Sequence, residues 1–148
     1  MATVQRFEDL RIWIEARELC KSVHQLITTT DIRTNFRLRD QMEGSSGSIM
    51  DNIAEGFERG GNKEFGQFLW IAKGSCGELR SQFYRVLDKG SSDEEIINPL
   101  LEKTLSVNKG ISSFLTYLKQ SDYKGNKFKE PEMGYGIVTD DAYPSDQL

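Results

Sequence analysis

Apolar residues recur at every third or fourth position through most of the first 120 residues, and this spacing limits the chain to helical folds. The third periodic segment is the most regular, because its apolar residues keep a near-heptad spacing over about six helical turns. They are Phe65, Phe68, Leu69, Ala72, Cys76, Leu79, Phe83 and Val86. Nowhere in this region do apolar and polar residues alternate as they would in a half-buried strand. The sequence therefore predicts an all-α protein.

Interruptions in the apolar spacing divide this region into four predicted helices. The first runs from Phe7 to Ile27 and stops before a run of three threonines. The second begins near Arg33 and ends at Gly60–Gly61, because glycine readily adopts the left-handed conformation that terminates a helix. The third occupies the near-heptad segment and ends before Gly90.

The fourth helix is predicted to start at Ser92 and Glu95, which match the S-x-x-E pattern of a capping box. Pro99 leaves two alternatives: either the box starts a short turn that kinks, or the long helix begins with Pro99 near its first position. Four helices of about twenty residues with short connections pack as an antiparallel up-and-down four-helix bundle. Residues 1–120 are predicted to form this bundle.

Residues 121–148 form a C-terminal tail in which the helical spacing is lost. The tail is rich in glycine, proline and charged residues, a composition that buries too little apolar surface to fold alone. It has a net charge of −3, against −1 for residues 1–120. We expect a flexible tail that is either disordered or an arm that docks on a neighbouring subunit.

The composition argues against several classes of function for this protein. The net charge of −4 argues against a nucleic-acid-binding protein that acts through bulk positive charge, although a local basic surface is compatible with it. No apolar run has the length of a membrane span, and the first residues lack the apolar stretch of a signal peptide. The two cysteines, Cys20 and Cys76, lack metal-ligand spacing and are predicted to be reduced. We expect a cytoplasmic protein without a membrane partner.

One face of the second predicted helix is polar, where a helix that only packed a core would be apolar. Its residues recur at intervals of four and three: Gln41, Ser45, Ser48, Asn52 and Glu55. With two residues of the third helix they give a candidate buried polar network, which comprises Gln41, Ser48, Asn52, Glu55, Ser75 and Glu78. Gly44 and Gly47, on the same helix, are predicted to let the third helix approach closely.

Two interpretations of this polar face are open. If Glu55 and Glu78 face each other, the two carboxylates could do acid–base chemistry or hold a cation. Alternatively, they accept hydrogen bonds in a network that specifies which helices pair. We favour the network, and a small-molecule or metal site around Asn52, Glu55 and Glu78 is the alternative function. No catalytic residue and no cofactor are predicted.

Basic residues cluster at both ends of the second helix. The candidate contacts for a nucleic acid or another partner are Arg33, Arg37, Arg59 and Lys63. Arg33 and Arg37 are four positions apart and therefore share a helix face. Asp40 nearby weakens the positive field, so a solvated helix surface is the simpler interpretation of this pattern.

Three blocks of the sequence resemble one protein family. FEDLRIWIEA, SIMDNIAEGFERG with Gln41 upstream, and KEFGQFLWIAKGSCGEL look like the four-helix-bundle proteins encoded in intervening sequences of bacterial 23S rRNA genes. The N-I-A-E-G and A-K-G-S-x-x-E-L patterns carry most of this likeness, which extends from Phe7 to Lys119. Accessory proteins of diversity-generating retroelements are distantly similar.

The resemblance implies an up-and-down bundle that assembles into a homopentamer, has no catalytic activity and acts in an RNA-linked context. The family's polar motif corresponds to Gln41, Ser48, Asn52, Glu55, Gly56, Arg59, Ser75 and Glu78. Where the family commonly has paired arginines after the glutamine, this chain has Met42-Glu43-Gly44, which removes positive charge. We therefore expect a non-enzymatic, homo-oligomeric binding or scaffold protein of unknown ligand, with RNA or a protein as its partner.

Overall fold

The computed structural model describes residues 3–120 and 128–131, in which four helices pack around one apolar core. The helices are α1 (Arg11–Thr29), α2 (Phe36–Arg59), α3 (Asn62–Asp88) and α4 (Glu94–Gln120). Short 3-10 turns at Phe7–Asp9 and Asp31–Thr34 precede α1 and α2, and the two-residue strands β1 (Thr3–Val4) and β2 (Phe128–Lys129) pair antiparallel. The predicted all-α class and the number of helices are confirmed. Among the described residues, no helix has both the length and the apolar character needed to cross a membrane.

The core runs the length of the bundle between the four helices. α1 packs against α2 and α4, and α3 packs against α2 and α4. Three phenylalanines are among its largest fully buried side chains, and the rings of Phe65 and Phe114 meet edge to face at 5.1 Å. The periodic residues of α3 lie in this core, except that Phe68 is only half-buried.

Local hydrogen bonds explain where α2 begins and ends. Asn35 accepts a hydrogen bond at Oδ1 from the Leu38 amide at 3.3 Å, so the helix starts at Phe36, three residues after the predicted Arg33. The preceding residues instead form a 3-10 turn capped by Thr30. At the other end Gly60 has φ of 82°, which confirms the predicted left-handed stop.

The start of α4 differs from the prediction by one residue. Asp93 caps the helix, because its Oδ1 accepts a hydrogen bond from the Ile96 amide at 3.1 Å. The buried Ser92 hydroxyl has no hydrogen-bond partner in the described part of the chain, so the predicted capping box is wrong. Pro99 is the sixth residue of one continuous helix, and neither alternative proposed for it is observed.

Residues from the predicted tail cap the start of α1. The N-cap position is Leu10, whose side chain cannot accept a hydrogen bond. The Glu130 carboxylate supplies the acceptor that the Leu10 side chain lacks. It accepts hydrogen bonds from the Arg11 amide at 2.7 Å and the Ile12 amide at 3.0 Å. A carboxylate is favourable here because the helix dipole places positive charge at the N-terminus. Thus residues 128–131 contact their own chain, and the rest of the predicted tail lies outside the described residues.

The close approach between α2 and α3 occurs at a different glycine from those predicted. A Cβ atom on Gly56 would lie 2.6 Å from Phe68 Cβ and 2.9 Å from Phe65 Cδ2, too close for any side chain. Gly44 and Gly47 have no heavy atom within 4 Å of the position a Cβ would take. The expectation that these two glycines let α3 approach is therefore wrong, because the space beside each of them is open and no atom of α3 fills it.

We predict opposite effects of alanine at two positions of α2. Gly56→Ala should lower the free energy of unfolding by about 1–3 kcal/mol, because the new methyl group overpacks the phenylalanine side chains. Gly47→Ala should raise it by up to about 1 kcal/mol, since alanine is the better helix former and the space is open. Urea unfolding followed by circular dichroism measures both. A Gly56→Ala variant as stable as Gly47→Ala would contradict the close contact.

Candidate functional site

All of the predicted network residues except Glu55 lie along the contact between α2 and α3. We call this row the α2–α3 seam: Gln41, Ser45, Ser48 and Asn52 of α2, with Ser75, Glu78 and Gln82 of α3. At its centre the hydroxyls of Ser48 and Ser75 are 2.9 Å apart, and Asn52 Nδ2 donates to Ser48 Oγ at 2.9 Å. These three side chains are half-buried. The structure therefore brings together the central residues of the predicted network.

The most buried part of the seam centres on Gln82, which is only 3% exposed. Its Oε1 accepts a hydrogen bond from Ser45 Oγ at 2.6 Å, and its Nε2 donates to Glu78 Oε1 at 3.2 Å. The Gln41 amide oxygen accepts from Arg85 at 3.1 Å, which ties the same helices together nearer the surface. Ser45 and Gln82 were not among the candidate network residues, although Ser45 shares the polar face of α2 and Gln82 follows Glu78 by one turn.

The two glutamates do not form a common site. Residues early in α2 face residues late in α3, as the Gln41–Arg85 and Ser48–Ser75 contacts show. In this register Glu78 lies level with Ser45, about ten residues and therefore about 15 Å along α2 from Glu55. Both carboxylates are exposed, and Gln41 is too, so the expectation of burial is wrong for these three.

Each glutamate already has a partner on its own helix. Glu55 pairs with Arg59 at 2.9 Å, and Glu78 accepts from Gln82. Within the described ranges, no three His, Cys, Asp or Glu side chains cluster as a metal ion would require. The arrangement gives no support to a small-molecule or metal site built on Asn52, Glu55 and Glu78, and we do not propose one.

The four candidate basic residues occupy opposite ends of α2. Arg33 and Arg37 are exposed near its first turn, whereas Arg59 is exposed in its last turn and Lys63 in the first turn of α3. The 24-residue helix separates the two pairs by about 35 Å at the usual rise per residue. They therefore form two small basic regions, and Glu55 partly neutralises the one that contains Arg59.

A further lysine, Lys73, is in none of the predicted sites and lies between α3 and α4. Lys73 Nζ donates to Ser112 Oγ at 2.7 Å and to Asn108 Oδ1 at 3.2 Å. Burial lowers the pKa of this lysine. Burial also raises the pKa of the nearby Cys76 thiol to about 11, so this cysteine is protonated and inert at neutral pH. Lys73 is the lysine of the A-K-G-S block, so this block was the feature of the sequence that could have indicated it.

An open cavity of about 450 Å³ lies between α1 and α2 on the other side of the bundle. We call it the α1–α2 groove. Its lining residues are Arg17, Cys20, Lys21, Val23, His24, Glu43, Ser46 and Met50. His24 is exposed at its edge. No sequence motif indicated this groove, because it depends on how two helices lie side by side.

The comparison with known protein families matches most of the helical region. Residues 8–113, more than half of the chain, match the family described as 23S rRNA-intervening sequence protein. The chain belongs to this family. The match includes the whole α2–α3 seam and confirms the resemblance carried by the N-I-A-E-G and A-K-G-S-x-x-E-L blocks. No curated protein matches the chain.

We predict that Ser45 and Gln82 act as one energetic unit. Ser45→Ala and Gln82→Leu should each lower the free energy of unfolding by about 1–3 kcal/mol, because each leaves a buried polar partner without its hydrogen bond. The double variant should lose clearly less than the sum of the two, since neither partner remains. Urea unfolding of the four proteins measures this coupling. Additive losses would show that the 2.6 Å hydrogen bond contributes nothing specific.

Proposed function

We propose that this family member is a non-enzymatic, homo-oligomeric scaffold that acts in the cytoplasm and presents an RNA-binding surface. Its subunit would be an antiparallel up-and-down bundle, and the assembly a homopentamer, as the family resemblance implies. The main support for this proposal, and for self-association in particular, is the surface along the outer side of the α2–α3 seam.

The order of contacts along the helices supports the antiparallel arrangement. Between α3 and α4, Lys73 reaches Ser112 while the later Cys76 reaches the carbonyl of Thr104 at 3.0 Å. Later residues of α3 therefore contact earlier residues of α4. The contacts between α2 and α3 follow the same reversed order. This order fits helices joined by short connections.

Small residues and an exposed isoleucine support self-association at the seam. Gly44 lies one turn before Ser48, and Gly74 adjoins Ser75, so both lie beside the hydrogen-bonded serines. Neither glycine has a heavy atom within 4 Å of the position that a methyl group would take, although glycine costs a helix about 1 kcal/mol relative to alanine. Ile71, one turn before Ser75, is 52% exposed. Another subunit could approach this surface closely and cover the isoleucine.

We predict that a charge at Ile71 prevents assembly. Ile71→Arg should convert the oligomer to a monomer, because it places a charged side chain in the middle of the apolar contact. Tyr84→Arg is a matched control, since Tyr84 is 53% exposed on the same helix but about 140° around its axis. Light scattering on a sizing column gives the mass of each variant.

The wild-type protein should elute with the mass of a pentamer, and so should Tyr84→Arg. A monomeric wild type would contradict the proposed assembly. An Ile71→Arg variant of unchanged mass would place the subunit contact elsewhere on the molecule. Circular dichroism confirms that each variant keeps its helices.

The N-terminal end of α2 is the better supported RNA surface. Phe36 is 64% exposed, and the Arg39 guanidinium lies 4.7 Å from the centre of its ring. Arg33 and Arg37 are exposed beside it and form no ion pair with any described residue. An exposed aromatic ring among arginines suits single-stranded RNA, whose bases stack on such rings while arginines bind phosphates.

We predict that Arg37→Gln weakens RNA binding and lowers the slope of log affinity against log salt by about 1, the effect of losing one phosphate contact. Lys63→Gln removes the same charge at the far end of α2 and should leave both quantities unchanged. Fluorescence anisotropy with a labelled single-stranded RNA, titrated at several salt concentrations, measures them. Loss of binding in Lys63→Gln alone would move the contact to the other end. No RNA binding by the wild type would favour a protein partner.

A further inference from the structure

Four residues of α3 form a stripe on the side of the helix that borders α4. Lys73, Gly77, Arg80 and Tyr84 recur at intervals of four and three, which places them on one face of the helix. The hydrogen bond from Lys73 to Asn108 shows that this face borders α4. We call these five residues the α3–α4 face. It lies apart from the α2–α3 seam and from the basic residues at the start of α2.

Lys73 has only neutral partners among the described residues. Its Nζ atom donates to Ser112 Oγ and Asn108 Oδ1 and lies 6.0 Å from the centre of the Trp70 ring. No described acid forms an ion pair with it. The lysine is half-buried, and a charge that is partly removed from water is unfavourable without a counter-ion. An anion bound at this position would supply the opposite charge.

Arg80 brings a second positive charge to the same face. Burial, and after it the charge of Arg80, lowers the pKa of Lys73, so the two cations lie within electrostatic reach of each other. Arg80 is also half-buried, and no acid in the described part of the chain pairs with it. An anion would relieve the repulsion between the two cations. Phosphate suits them, because arginine and lysine are both common phosphate-binding residues.

Gly77 leaves space between the two cations. It lies one turn after Lys73 and one turn before Arg80, and no heavy atom is within 4 Å of the position that a Cβ would take. Any side chain here would fill the place from which an anion reaches both cations. On α4, Asn108 gives its oxygen to Lys73, so its Nδ2 group is a further donor, and no described residue accepts a hydrogen bond from it.

Tyr84 places an aromatic ring next to this anion position. Its side chain is 53% exposed, and it lies one turn after Arg80. Helical side chains lean towards the N-terminus of their helix, so the ring covers the turn that contains Arg80. A ligand that reaches from Gly77 to this ring must carry a phosphate at one end and a flat group at the other. A nucleotide has both, because its base can stack on the tyrosine.

We propose that the α3–α4 face binds a nucleotide, with its phosphate over Gly77 between the two cations and its base against Tyr84. The site is separate from the proposed RNA surface at the N-terminal end of α2 and does not depend on it. A free nucleotide and a nucleotide within an RNA strand offer the same phosphate and base, and the experiments below distinguish these two sources.

Calorimetric titration with adenosine monophosphate tests the site. Gly77→Leu should weaken binding by about tenfold or more, because the leucine occupies the phosphate position while every charge is kept. Gly66→Leu is the matched control and should bind as the wild type does, since Gly66 is equally open and lies on the same helix about three turns earlier. Circular dichroism confirms that both variants are helical. No binding by the wild type, or equal affinities of all three proteins, would overturn the proposal.

Two further variants separate the phosphate from the base. Arg80→Gln should weaken binding of adenosine monophosphate and of inorganic phosphate by about tenfold each, the effect of losing one hydrogen bond to a charged group. Tyr84→Leu should weaken binding of the monophosphate alone, since inorganic phosphate has no base to stack. Arg17→Gln removes the same charge from α1 and should change neither affinity. Equal affinities of Arg80→Gln and Arg17→Gln, or unchanged monophosphate binding by Tyr84→Leu, would overturn the proposal.

Competition with single-stranded RNA identifies the source of the nucleotide. RNA that displaces adenosine monophosphate would show that a strand supplies it, whereas RNA that does not would show that the free nucleotide is the ligand; both results support the site. Arg37→Gln alters only the proposed RNA surface and should bind the monophosphate as the wild type does. A wild type that binds the monophosphate but no RNA would contradict the RNA surface alone. One that binds RNA but no monophosphate would overturn this site alone.

Discussion

The contact between Gly56 and the phenylalanines of α3 sets the register on which the site depends. Because Gly56 has no side chain, Phe65 and Phe68 pack directly against the backbone of α2. That contact fixes how far α3 is shifted along α2 and how the two helices are rotated. The same register brings Ser48 opposite Ser75 and Ser45 opposite Gln82. A shift of one residue would rotate these polar side chains out of reach of one another.

The polar seam gives this pairing its specificity. An apolar contact tolerates several registers of similar energy, whereas the Gln82 amide loses buried hydrogen bonds if the helices slide. The seam also passes gradually from the buried Ser45–Gln82 pair to the exposed Gln41 and Glu78. One row of side chains can therefore stabilise the subunit on its inner side while its outer side is available to a neighbouring subunit. This continuity explains why polar residues and open glycines occur together on these helices.

Residues from both ends of the described part of the chain meet near the N-terminus of α1. Leu10 cannot cap the helix, and Glu130, more than a hundred residues away in sequence, supplies the missing acceptors. The described part of the C-terminal segment is thus joined to the bundle by hydrogen bonds to backbone amides rather than by a core of its own.

The sequence by itself determined the helical class, the number of helices and the left-handed stop at Gly60, because each depends on residues close together in the chain. It also identified the family through local blocks, and it placed Ser48, Asn52 and Ser75 on facing helices. Tertiary structure decided which glycine is in close contact, which polar residues are buried, and that Glu55 and Glu78 lie apart. Spacing gives the face of a helix on which a residue lies, but not the rotation and shift of that helix against its neighbour. Those depend on the packing of Gly56 against Phe65 and Phe68, a contact between residues of two helices that no local pattern encodes.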